Sequence, residues 1–392
     1  MLLVGFSLKA ISAILFGYFY KTGILTGGDT YMYFNDANVI FNTFKTDPFI
    51  YFKLAIGTND FTPVPAYLLP YTDAMHFWFD SSNYFLVRIN ALIRPFSFGV
   101  YNFHALVFAF LSFIGTYNLY LFFEDKVFSK PLLQFILFGI PSIVFWTSGV
   151  HKEAIVIFSL GIILSNIDRL LKSDYTKRHV FYIVFGLFVL GYTRIYILAF
   201  LLPLMTALAI YKRFESSKAT FKYFALALIV FALISVGIDW LSPQHSLLYE
   251  IIVRRRYFVN SFGNMSFPVE GIPHNINSAL ILIWEAISNP FIRPLPSDCD
   301  GVLAYLASFE AFVLLFTIFI LILSVNLKSL HKNPYAVFSI LFGLSILFLI
   351  GLIVNNSGAI ARYRSIAIPF ILIGLCLTNK KNQKIIQLFQ KN

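Results

Sequence analysis

The sequence predicts an all-α polytopic integral membrane protein with about ten transmembrane helices and two long extracytoplasmic loops that contain interfacial helices. Three observations predict this. Hydrophobic residues make up 58% of the 392, and only 12% are charged, where a soluble domain carries about 25%. Mean hydropathy is +0.75. Apolar runs long enough to cross a hydrocarbon core of ~30 Å, about 20 residues each, recur along the whole chain.

Taken in order, the predicted spans cover about 2–20, 100–123, 131–148, 153–171, 180–194, 195–211, 222–240, 301–325, 335–354 and 364–379. The first lacks a small-residue cleavage pattern before Lys21 and reads as a retained span or uncleaved signal anchor, with the Lys9 ammonium snorkelling toward the cytoplasmic interface. Arg194 interrupts a long apolar stretch and divides spans five and six. The whole chain, 1–392, reads as a single transmembrane domain. Its two outer segments, 21–99 and 241–300, are too long for simple connections. Both are rich in aromatics and prolines, and their apolar pieces at 84–93 and 279–287 read as ordered segments at the membrane interface.

Orientation follows from charge. A cytoplasmic N-terminus places Lys126, Lys130, Lys172, Lys177, Lys212, Lys218, Lys222, Lys328, Lys332, Lys380, Lys381 and Lys384 inside, as the positive-inside rule requires, and the C-terminus there as well. The expected location is therefore the cell (inner) membrane, with both termini cytoplasmic. The net charge of +11 thereby finds its explanation in membrane orientation, and nucleic acid is not an expected partner. Nine of the 12 arginines do the opposite. Arg88, Arg94, Arg194, Arg254, Arg255, Arg256, Arg293, Arg362 and Arg364 fall outside. A guanidinium matches phosphate and carboxylate bidentately, so an arginine-rich outer face suits either an anionic ligand or lipid headgroups. Trp78, Trp146, Trp240 and Trp284 also map to the outer side, where an aromatic belt is the expectation and a sugar platform the alternative. Cys299 and Cys376 fall on opposite sides, which argues against a disulfide.

Three local patterns carry candidate chemistry. After span one the chain reads Gly27-Gly28-Asp29-Thr30-Tyr31-Met32-Tyr33-Phe34-Asn35-Asp36. Two glycines permit a tight exit from the membrane. Asp29 then stands at the start of a short helix, either as its N-cap or as a surface carboxylate able to act as general base on a hydroxyl. Tyr33 is one turn further on. Spans three and four are joined by Pro141 to Glu153, ending in His151-Lys152-Glu153. Charges at that depth are costly and therefore functional candidates, with a local Lys152–Glu153 ion pair as the alternative. The last two spans are joined by a segment ending Arg362-Tyr363-Arg364, which suits a phosphate clamp or topological anchoring. Arg254, Arg255 and Arg256 pose the same choice in the second outer loop. Asp298-Cys299-Asp300 has the spacing of a divalent-metal chelator but reads as a helix start; no metal or other cofactor is indicated. The chain has no P-loop, no G-x-S-x-G elbow and no zinc-protease His pair, so ATP-driven transport and the commonest hydrolase designs lack support.

Together these patterns resemble the GT-C fold of membrane glycosyltransferases, as found in bacterial surface-polysaccharide assembly. The resemblance rests on the Gly-Gly-Asp-x-x-x-Tyr stretch after span one, the Pro141-to-Glu153 hairpin and the Arg362-Tyr363-Arg364 mouth. It implies an enzyme that transfers a sugar from a polyprenyl-phosphate donor to a glycan or lipid-linked acceptor at the extracytoplasmic face, by an inverting displacement. It also implies a first-loop aspartate as catalytic base, which maps onto Asp29, with Asp36 as a second candidate because Thr30 follows Asp29. Basic residues at outer span ends would hold the lipid phosphate. Lys152, Arg194, Arg362 and Arg364 are candidates for that role, with Arg254, Arg255 and Arg256 behind them. Tyr33 and Glu153 complete the expected substrate-binding set. A polymerase joining lipid-linked repeat units shares the topology and is the alternative. A lipid-linked oligosaccharide flippase ranks third, because the span centres are almost purely apolar.

Overall fold

The computed structural model describes residues 2–59, 63–214, 220–242, 246–260, 263, 265–273 and 275–379. Among the described residues every regular element is a helix, and extended segments pair only at two isolated bridges, Ser266 with Asn356 and Val325 with Asn379. In chain order the helices are α1 (Leu2–Lys21), α2 (Thr30–Thr46), α3 (Pro48–Ile56), α4 (Leu69–Thr72), α5 (Ser81–Ser97), α6 (Tyr101–Phe123), α7 (Lys130–Phe138), α8 (Pro141–Trp146), α9 (Lys152–Leu171) and α10 (Lys177–Phe214). They continue with α11 (Thr220–Leu241), α12 (Leu247–Asn260), α13 (Ile276–Ile292), α14 (Val302–Leu323), α15 (Leu327–Leu330), α16 (Pro334–Ile353) and α17 (Ser357–Cys376).

Local chemistry explains several of the starts. Asp47, Asp80, Ser129, Asn275, Asn333 and Asn356 each accept a hydrogen bond from a backbone N–H of the first turn of the helix that follows, which satisfies donors the helix itself cannot. Proline occupies the first turn of α3, α7 and α16, where its missing N–H is harmless.

Eight of these helices are long and apolar enough to cross a membrane: α1, α6, α9, α10, α11, α14, α16 and α17. The chain is a multi-pass, all-helical membrane protein. Its surface agrees with that class. Leu233 on α11 and Phe309 on α14 are 67% and 70% exposed, on helices that turn most of their apolar side chains outward. Such helices suit contact with hydrocarbon, in which their backbone groups are satisfied within the helix.

Two places in the expected set of ten spans depart from simple, separate helices. The stretch 131–148 forms two short helices, α7 and α8, broken at Gly139 and Ile140 ahead of Pro141. At 1.5 Å per residue neither alone covers the ~30 Å needed, so this expected span is a broken one. Spans five and six are two helical halves of α10 that meet directly at Arg194, the residue that leaves helical geometry (φ −149°, ψ 73°). The break lies where the sequence placed it, but no loop separates the halves.

The chain divides into two compact units, one of Met1–Phe122 with Val144–Ile195, the other of Phe123–Ile143 with Tyr196–Asn392. In the first, α2 packs along α5 through Tyr33, Ala37, Tyr84, Val87 and Ala91. The hydroxyls of Tyr51 and Tyr84 donate to the carbonyls of Ala91 (3.0 Å) and Leu54 (2.9 Å), tying α3 to α5. The apolar piece 84–93 is thus half of a helix with one face packed on α2. Trp78, expected in an aromatic belt, is 1% exposed and edge-on to Tyr84. Lys9 does not snorkel. It is fully buried and donates to Ser112 Oγ and Thr147 Oγ1, both at 2.8 Å.

In the second unit α16 and α17 form the buried centre, with α13 beside α16 and α14 beside α17. Lys126 and Lys212 lie over the ring of Tyr335, at the start of α16. Arg255 donates to the carbonyl of Leu352 at its other end. Seventeen residues of helix separate those points, about 26 Å, so Lys126 and Lys212 stand at one end of α16 and Arg255 at the other. Lys218, Lys380, Lys381 and Lys384 lie outside the described residues. Both cysteines are free thiols.

Candidate functional site

The polar cluster that best fits chemistry lies within the first unit, where the starts of α2, α5 and α9 meet the break in α10. It begins at the exit from α1. Gly27 adopts φ +70°, a conformation that glycine reaches without strain, and a Cβ on Gly28 would fall 2.1 Å from the Tyr20 ring. This turn delivers Asp29 to the mouth of α2. Thr30 Oγ1 lies 2.5 Å from the Tyr101 hydroxyl, fixing that mouth against α6.

Asp29 does not cap α2. Its side chain makes no capping hydrogen bond, and it remains partly exposed. Its Oδ2 instead faces the Tyr33 hydroxyl at 3.4 Å, while that hydroxyl donates to Asn83 Oδ1 at 2.7 Å. Asn83 Nδ2 in turn donates to Asp80 Oδ2 at 2.7 Å. The result is a line of polar groups from Asp80 through Asn83 and Tyr33 to Asp29. Tyr33 itself has no exposed surface, so it holds neighbouring groups in place from beneath them.

The second half of the cluster is the start of α9. Lys152 Nζ donates to Ser82 Oγ at 2.8 Å, and Ser82 Oγ donates to the carbonyl of Thr193 at 2.9 Å. Glu153 is completely enclosed. Its Oε1 accepts from Arg194 Nη2 at 2.8 Å, and His151 Nδ1 lies 2.7 Å from its Oε2. The expected ion pair between the neighbours Lys152 and Glu153 is therefore replaced by cross-helix pairing: Glu153 reaches α10, and Lys152 reaches α5. The departure of Arg194 from helical geometry accompanies both contacts, since it aims the guanidinium at Glu153 and leaves the Thr193 carbonyl accepting from Ser82. The Tyr33 and His151 rings meet edge to face at 6.3 Å, which joins the two halves of the cluster. The Lys152 ammonium also lies within electrostatic range of the Asp29 and Asp80 carboxylates. An ammonium at a helix start, with that helix's dipole behind it, favours an anion.

Asp36 has a different place from the one the sequence suggested. It is 1% exposed, and its carboxylate accepts from the backbone N–H groups of His76 and Phe77, both at 3.0 Å, with His76 Nδ1 at 3.1 Å. All that capacity is used in shaping the 76–77 turn, so Asp36 holds the loop rather than a reacting hydroxyl.

The remaining candidates belong to the second unit. Arg255 is buried and donates to the carbonyls of Leu352 (2.6 Å), Glu270 and Gly271, with Glu285 Oε2 at 3.3 Å. Burial pulls its pKa below the ordinary arginine range, against the opposing charges of Glu285 and Glu270. Arg364 is likewise enclosed and donates to the carbonyls of Pro290 (3.3 Å) and Arg293 (2.8 Å). These two guanidiniums tie the protein's own chain together. Arg254 pairs with Glu250 one turn back (3.1 Å), and Arg256 is exposed. Arg362 donates to the Tyr363 hydroxyl at 2.6 Å and lies over that ring. Asp298 binds Arg293, the Leu295 N–H (2.9 Å) and the Ser357 hydroxyl (2.7 Å). Among the described residues no group of three or more His, Cys, Asp or Glu side chains is placed to hold a metal ion.

Asp80, Ser82 and Asn83 were missed in the sequence. A signal was present, because Asp80-Ser81-Ser82-Asn83 is a helix-start string directly ahead of the apolar piece 84–93. What no local pattern conveys is that this helix start faces α9. No family model, curated protein or solved structure matches the chain.

Proposed function

We propose that the chain is a membrane glycosyltransferase of the GT-C type, which transfers a sugar from a polyprenyl-phosphate donor to a glycan or lipid-linked acceptor at the extracytoplasmic face of the inner membrane. The reading includes cytoplasmic termini and takes the two halves of α10 as separate passes. The observation that carries it is Asp29. This carboxylate stands at a membrane exit, partly open, free of any capping role and 3.4 Å from the Tyr33 hydroxyl. It shares a cluster with Lys152, an ammonium whose hydrogen-bond partner is a hydroxyl rather than a carboxylate.

The chemistry is a single displacement. The acceptor hydroxyl oxygen attacks the anomeric carbon and its proton passes to Asp29. The bond from that carbon to the phosphate oxygen breaks with inversion, and the electron pair leaves with the polyprenyl phosphate. Lys152 offsets the charge on the departing phosphate. Arg194 is already matched by Glu153, so its part is to hold the start of α9 in register with α10.

The test is mass spectrometry of lipid-linked and surface glycans in a deletion strain complemented with wild type or Asp29→Asn at equal membrane abundance. A sugar restored by wild type and not by Asp29→Asn supports the proposal. Full restoration by Asp29→Asn removes Asp29 as the base. Accumulation of single complete repeat units, with long chains lost, reassigns the protein to the polymerase class.

A further inference from the structure

Lys9 is an anomalous residue for a membrane-crossing helix. The buried positions of α1 are Gly5, Lys9, Ala13, Phe16 and Gly17, a single stripe at helical spacing. Lys9 sits in the middle of it with no exposed surface, and both hydrogen-bond acceptors for its ammonium are neutral hydroxyls. An apolar side chain would fill the same place without the penalty of enclosing an amine, and ionisable groups at such depth are retained for function.

Its partners show which function. Ser112 belongs to α6, but Thr147 opens the non-helical stretch 147–151, the turn that ends at Lys152. Irregular backbone at membrane depth is tolerated only when protein encloses it, and every residue from 147 to 151 is buried. The stripe of α1 supplies the enclosure. Lys9 holds Thr147. Two turns along, Phe16 packs against Gly149 so closely that a Cβ there would lie 2.3 Å from the ring. The same ring meets His151 edge-on at 5.6 Å. Alternate residues of the turn, 147, 149 and 151, therefore touch one face of α1, and the next two in the chain are Lys152 and Glu153.

We infer that Lys9 is a positioning residue: through Thr147 it fixes the 147–151 turn and thereby sets where Lys152 and Glu153 stand. The consequence for turnover rests on the proposed function, whereas the effect on the turn does not.

Full-length protein in lipid nanodiscs is compared as wild type, Lys9→Met, Thr147→Val and the double variant, by hydrogen exchange of peptides covering 147–153 and 334–376. Losing a buried hydrogen bond is expected to speed exchange in 147–153 by up to about tenfold. Peptides from α16 and α17 should keep their wild-type rates, and the double variant should match Lys9→Met. Unchanged exchange at the turn overturns the inference, and so does faster exchange throughout the chain, which would make Lys9 a general fold determinant. In the complementation assay at equal abundance, Lys9→Met is expected to lower glycan output by up to about 100-fold, as small misplacements of a reacting constellation do. A loosened turn with wild-type glycan output removes the catalytic consequence. If Asp29→Asn is also fully active, the proposed function itself has failed while the turn result stands.

Discussion

Glu153→Gln tests the centre of the site most directly. Glu153 has no exposed surface, and the Arg194 side chain it holds at 2.8 Å is 8% exposed. Neutralising the carboxylate leaves a guanidinium enclosed without its counter-charge. Removing one partner of a buried pair costs about 3–5 kcal/mol. The glutamine carbonyl still accepts one hydrogen bond from Arg194, so the lower end, ~3 kcal/mol, is expected. At about 2–4 °C per kcal/mol for a unit of this size, the melting midpoint in detergent should fall by about 6–12 °C. Arg194→Met should cost less, because His151 remains beside the carboxylate at 2.7 Å and can partner it. The decisive measurement is the double variant, Glu153→Gln with Arg194→Met. Removing both charges abolishes the unpaired ion, so its shift should be smaller than the sum of the singles by about 1–3 kcal/mol. A strictly additive double variant would refute the reasoning, since two groups that do not interact cannot explain why α10 leaves helical geometry at Arg194.

Two further predictions separate scaffold from chemistry. Asp36→Ala should leave the His76 and Phe77 N–H groups without their acceptor, at a cost of about 1–3 kcal/mol for each. It should lower the melting midpoint but restore glycan synthesis once membrane abundance is matched, whereas Asp29→Asn should leave abundance alone and abolish synthesis. Asp298 should limit stability in acid. Burial pushes its carboxyl upward, but hydrogen bonds from Arg293, the Leu295 N–H and Ser357 more than reverse this and hold it below the ordinary range. Because the folded value is the lower one, its contribution is complete above the unfolded value of ~3.9 and is lost as pH falls through the folded value. Melting midpoints should therefore decline below about pH 4 in wild type. Asp298→Asn should show a weaker decline over the same range, and an identical one would exclude Asp298 as the cause.

The class of the protein was open to reading from composition alone. Apolar length decides what can cross a bilayer, and that property is local to each segment. Helices α1, α6, α9, α11, α14, α16 and α17 accordingly fall close to predicted spans, and the glycine turn before Asp29 was visible for the same reason. Arg194 was recognised as a break because a charge inside an apolar run is conspicuous. Gly139 and Pro141 were present too, but hydropathy weighed their apolar neighbours and did not show that this stretch is two short helices.

Partnership was not legible. Lys9 reads as a snorkelling cation near a terminus until Ser112 and Thr147, 103 and 138 residues away in the chain, prove to be its acceptors. Lys152 and Glu153 read as each other's counter-ions until Ser82 and Arg194 claim them. Asp29 and Asp36 look alike in sequence; one stays partly open and the other is consumed by backbone donors of a distant turn. Residue type and spacing determine which groups can ionise, cap or cross a membrane. Which of them is left available for chemistry depends on what the folded chain packs around it, because hydrogen bonding and desolvation are short-ranged.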